Sequence, residues 1–125
     1  MGESIPIPPA GINMSDSHFC KLYVDIVGDR ASLIATVAKL ACGSPDATGV
    51  DCPWAYLDVT RNNDFKAAPK GALKENFLYY PFLIEVDIAN GIDEEAYISS
   101  IRSLIAALRQ QASVVPSCDF EDRLS

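Results

Sequence analysis

Four stretches of the chain alternate polar and apolar side chains with period two. Lys21, Tyr23 and Asp25 alternate with Leu22, Val24 and Ile26. Trp54, Tyr56, Asp58 and Thr60 alternate with Ala55, Leu57 and Val59. Leu83, Glu85 and Asp87 alternate with Phe82, Ile84, Val86 and Ile88. Ser117, Asp119 and Glu121 alternate with Pro116, Cys118 and Phe120. Successive side chains of a strand point to opposite faces, so each stretch has one oily and one acidic side. The pattern predicts strands over residues 19–27, 54–60, 77–88 and 113–121. Pro116 has no N–H to donate, which places the last strand at a sheet edge.

Two other segments repeat at helical spacing. Asp29 is a good N-cap for a run whose apolar stripe is Leu33, Ile34, Val37, Leu40 and Ala41, with Gly43 ending it. Asp93, followed by Glu94 and Glu95, caps a second helix with Tyr97, Ile101, Leu104, Ile105 and Leu108 on its apolar face. Residues 43–53 read as a loop. Residues 61–76 hold Arg61, Lys66, Lys70 and Lys74, a connection too long for an ordinary hairpin. Prolines 6, 8 and 9 keep residues 1–17 out of helix and central strand, so this segment reads as a loose arm, with Met14 a candidate natural start. The order is β-α-β-β-α-β. With right-handed crossovers it predicts an α+β, ferredoxin-like sandwich over residues 18–125. Its four-stranded antiparallel sheet would run fourth, first, third, second, with both helices on one face.

Composition narrows the function. The chain has 125 residues, 49% of them hydrophobic and 22% charged, which suits one domain with its own core. No apolar run approaches the roughly 20 residues that span a bilayer. Residues 1–13 lack the features of a secretory signal, so a cytoplasmic location is expected. A net charge of −7 argues against nucleic acid and is compatible with a basic protein partner. Cys20, Cys42, Cys52 and Cys118 form no C-x-x-C pair, and His18 is the single histidine, so no zinc site is expected. All four cysteines are expected reduced, with Cys20 and Cys118 as buried thiols.

Catalytic groups are sparse. One histidine assembles no nucleophilic triad, and no glycine-rich phosphate loop is present. Neither an enzyme nor a cofactor is expected. The best carboxylate constellation is Asp25, Glu85 and Asp87, able to hold a divalent cation or share a proton; a solvated acidic face with Lys21 as counter-charge is the preferred reading. Tyr23, Trp54 and Tyr56 suggest base stacking, but rings surrounded by carboxylates repel phosphate. Aromatics mixed with acids instead suit a protein interface, with a homodimer contact equally open.

Two resemblances bear on this. Residues 23–42, YVDIVGDRASLIATVAKLAC, resemble the opening strand and helix of an ACT domain, which implies amino-acid sensing. The match includes Asp29-Arg30 but departs at Ala31-Ser32-Leu33, where a Pro-Gly-Leu turn is usual. FLYYPFLIEVD and the later YISSIRSLIAALRQQASVVPSCDFEDRL are similar to the small acidic immunity proteins of bacterial polymorphic toxin systems. That similarity implies neutralisation of a basic toxin domain. The leading expectation is such a protein-binding module. Its partner surface would comprise Tyr23, Asp25, Trp54, Tyr56, Asp58, Glu85, Asp87, Asp119 and Glu121.

Overall fold

Burial follows the alternation strand by strand. In a computed structural model describing residues 20–62, 80–118 and 120, Cys20, Leu22 and Val24 are buried while Lys21, Tyr23 and Asp25 are not. These residues form β1 (Cys20–Asp25), followed by α1 (Arg30–Ala41), β2 (Ser44–Pro45) and β3 (Gly49–Asp51). Then come β4 (Ala55–Arg61), β5 (Phe82–Ile88), α2 (Glu94–Leu108) and β6 (Ser113–Cys118). The fold is α+β. All six strands join one antiparallel sheet in the order β2-β3-β4-β5-β1-β6.

The inward parity of β1, β4 and β5 meets the apolar stripes of both helices. Leu33, Val37, Tyr97, Ile101, Leu104 and Leu108 pack there against Leu22, Leu57, Val59, Phe82 and Ile84 in one core. Each such side chain contributes about 1.5–3 kcal/mol when fully buried. Asp29 caps α1 by accepting from the Ser32 N–H at 2.8 Å, and Asp93 caps α2 by accepting from the Ala96 N–H at 3.1 Å. Gly28, at φ 126°, makes the turn from β1 into α1, a conformation other residues rarely adopt. Arg109 donates from Nε and Nη2 to the Val114 carbonyl, at 3.3 and 2.9 Å, and so ties the end of α2 to β6.

Several expectations are corrected. The sheet has six strands, because the stretch expected to be loop over residues 43–53 folds into the short hairpin β2–β3 beside β4. Helix α1 ends on Cys42 in the left-handed conformation, not on Gly43. Gly43 serves another need: a Cβ there would lie 2.5 Å from Val50 Cγ1 and 2.7 Å from Cys52 Sγ. Cys20 and Cys118 are not separate thiols. The β1–β6 register sets them opposite each other with Cα atoms 4.1 Å apart, and they form a disulfide. Cys42 and Cys52 are free. Expectations for residues 1–19, the lysines within 63–79, Asp119 and Glu121 lie outside the described residues.

The disulfide spans 98 positions of sequence, so it restricts the unfolded chain strongly. Reduction, or Cys118→Ser, is expected to lower the unfolding free energy by about 3–4 kcal/mol. Urea denaturation with and without reductant measures this, and equal midpoints would refute it.

Candidate functional site

The polar parity of the sheet lies on the face opposite the helices, and no described element covers it. Strand register orders its residues into rows. One row runs Gly49, Asp58, Glu85, Lys21, Ser117 across β3, β4, β5, β1 and β6. A second runs Asp51, Tyr56, Asp87 across β3, β4 and β5. On the other side of the first row lies a third: Thr60, Leu83, Tyr23 and Val115. The face thus carries an acidic patch of Asp51, Asp58, Glu85 and Asp87 beside a part-buried band of Leu83, Tyr23 and Val115.

Asp58 stands directly opposite Glu85, a like-charge pair that costs a sheet stability. Lys21 faces Glu85 from the other side and offsets part of the repulsion. Asp58 is left with Gly49 as its other neighbour, which has no side chain to compensate.

Tyr56 is held by the β2–β3 hairpin. Its hydroxyl donates to Asp46, 2.9 Å from Oδ1 and 3.1 Å from Oδ2, and lies 2.7 Å from the Thr48 hydroxyl. Asp46 Oδ1 also accepts from the Thr48 and Gly49 N–H groups, each at 2.8 Å. Those bonds, first the Thr48 amide, then the Tyr56 hydroxyl, then the Gly49 amide, hold the Asp46 carboxyl below the usual carboxylate range. The Tyr56 phenol is pushed upward. The Thr48 hydrogen bond opposes this, but burial, the bond to Asp46 and the charges of Asp46 and Asp58 together outweigh it. Sequence reasoning missed Asp46 and Thr48, which lie in the turn of the hairpin, and Asp51, at the end of β3, because the hairpin's strands of two and three residues carry no readable period.

Two expected site residues are displaced. Trp54 is not on the open face: it is 9% exposed, and its ring lies 6.2 Å from that of Tyr97 in the core. Tyr97 in turn meets Phe120 at 5.6 Å. The reason is the turn before β4, closed by the Cys52 N–H donating to the Ala55 carbonyl at 2.9 Å, so period two does not extend back to residue 54. Asp25 is on the sheet but far from its supposed partners. It faces Ser113 at the end of β1, four positions and roughly 13 Å along the strand from the Lys21–Glu85 pair. The trio Asp25, Glu85 and Asp87 is not assembled. Among the described residues no group of three or more His, Cys, Asp or Glu is placed to hold a metal ion.

At the Asp29-Arg30 turn, Arg30 reaches across to the hairpin. Its Nε donates to the Val59 carbonyl at 2.7 Å and its Nη2 to that of Thr48 at 3.5 Å. The outer strands are poor templates for further pairing, since each contains a proline, Pro45 in β2 and Pro116 in β6. No described helix is long and apolar enough to cross a membrane. No family model, curated protein or solved structure matches the chain.

Asp58→Asn should raise stability by about 0.2–1 kcal/mol at low ionic strength. The gain should shrink at about 1 M salt, where exposed charges are screened. Denaturant titrations at the two salt levels test this; an unchanged or lowered midpoint at low salt would contradict it. Asp46, with a lowered folded-state value, stabilises above the ordinary carboxylate range, and that contribution is lost as pH falls through the folded-state value. Acid unfolding of Asp46→Asn is therefore expected to depend less steeply on pH than that of the native chain.

Proposed function

We propose that the sheet face opposite the helices binds a basic protein surface, and that this chain is an immunity protein neutralising a basic toxin domain. On this reading the frame is a ferredoxin-like sandwich, extended by the β2–β3 hairpin and acting without a catalytic step. One observation carries it: the like-charge Asp58–Glu85 pair, only partly offset by Lys21, stands between the Tyr56 row and the Leu83–Tyr23–Val115 band.

Interfaces combine apolar and aromatic anchors with a polar surround. Here part-buried Tyr23, Leu83 and Val115 supply the anchors, and Asp51, Asp58, Glu85 and Asp87 the charge. The neighbouring carboxylates repel each other in the free protein, and a Lys- or Arg-rich partner would relieve that repulsion. Such complementarity acts mainly on encounter rate. Proteins that bind nucleic acid with basic clefts present the matching surface. The hairpin fixes the Tyr56 ring before any partner arrives, which lowers the ordering cost of association.

The neighbouring reading frames provide the first test. A large secreted protein with a toxin-like C-terminus encoded beside this chain would supply the partner; a purely metabolic operon would overturn the immunity assignment. With that toxin domain in hand, Asp58→Lys combined with Glu85→Lys should slow association at low salt by about tenfold or more. Dissociation should change only two- to threefold, to order of magnitude. Unchanged association at low salt would exclude the sheet face as the interface.

A further inference from the structure

On the opposite side of the sheet, the first turn of α1 and the β2–β3 hairpin enclose a cleft of about 560 Å³, a size typical of small-molecule sites. Arg30 and Arg61 both line it. Arg61 continues the inward parity of Ala55, Leu57 and Val59, but lies at the strand end, where it is exposed. Its guanidinium is 5.8 Å from the centre of the Phe82 ring. The Arg30 guanidinium is fixed by its bonds to the Val59 and Thr48 carbonyls, none of which uses Nη1. Arg30 is anchored on the Val59 carbonyl and Arg61 stands two positions further along the same strand, so both side chains border the one cleft.

Among the described residues neither guanidinium is paired with a carboxylate, in a chain of net charge −7. The two acids at the rim are engaged elsewhere. Asp29 accepts from the Ser32 amide, and Asp46 from two amides and the Tyr56 hydroxyl. The rest of the wall is apolar, with Ile34 on α1 and Pro45 on β2. Two guanidiniums favour a planar carboxylate, which each can meet with two parallel N–H donors. The two rim carboxylates disfavour a dianion such as phosphate, and the apolar wall favours a short aliphatic chain.

We propose that this cleft binds a small aliphatic carboxylate, its carboxyl group held by Arg30 and Arg61 and its chain against Ile34 and Pro45. The site is on the helix side of the sheet and shares only the β2–β3 hairpin with the acidic face, through Asp46 and Thr48. Isovalerate binding and toxin association are separate measurements, so either proposal can fail without the other.

Amide-resolved NMR titration of the full chain with isovalerate tests it, with isovaleramide and inorganic phosphate as controls. Saturable shifts are expected at residues 30, 47–49 and 61 with isovalerate and not with either control. Arg61→Gln should weaken binding by about tenfold or more, the loss of one charge-assisted pair, while leaving thermal stability nearly unchanged. Arg61→Lys, which keeps the charge but not the fork, should fall between. No saturable shift at millimolar isovalerate, an equal response to isovaleramide or phosphate, or affinity unaffected by Arg61→Gln would each overturn the proposal.

Discussion

Everything else in this protein depends on burying one parity of β1, β4 and β5 beneath two helices. The register that sets Leu22 against Ile84 and Leu57 against Val86 puts the apolar side chains of all three strands on one side. A slip of one residue would carry the carboxylates into the core, where an unpaired charge costs several kcal/mol. The hydrophobic layer thus fixes the register, and the register decides which polar residues become neighbours. The Asp58–Glu85 pair is a consequence of packing on the other side of the sheet.

That consequence carries a cost the fold tolerates. Cross-strand like charges weaken a sheet by a fraction of a kcal/mol each, small against a core containing Leu22, Leu57, Phe82 and Tyr97 with at most 1% exposure. The Cys20–Cys118 disulfide adds a covalent tie between β1 and the edge strand β6. Asn62 adds a polar one: it is 8% exposed, its Nδ2 donates to the Tyr80 carbonyl at 2.8 Å, and its amide N–H donates to that of Pro81 at 2.8 Å. It closes the sheet across both ends of the 63–79 connection.

The hairpin β2–β3 links the two faces. Asp46 organises its turn and receives Tyr56 from the outer face, while the Thr48 and Val59 carbonyls receive Arg30 from the helix side. Tyr56 was legible as an outward aromatic but not as a member of this network, since its partners lie eight and ten positions upstream in a stretch without period. Trp54 was misplaced for the opposite reason. The alternation seemed to include it, yet the turn at residues 52–55 reverses the chain and sends its ring into the core.

By itself, the sequence determined the two helices with their Asp29 and Asp93 caps, the inward sets of the strands, and the acidic outward parity. Local backbone geometry and the cost of exposing apolar surface are enough to read these, because periods of 2 and 3.6 are properties of short segments. Tertiary structure decided which outward residues meet. It set Asp58 against Glu85, moved Asp25 away from both, paired Cys20 with Cys118 and brought Arg61 to the cleft that Arg30 lines. Those are matters of register between segments distant in sequence. Register follows from packing the whole core at once, and no single stretch of the chain contains it.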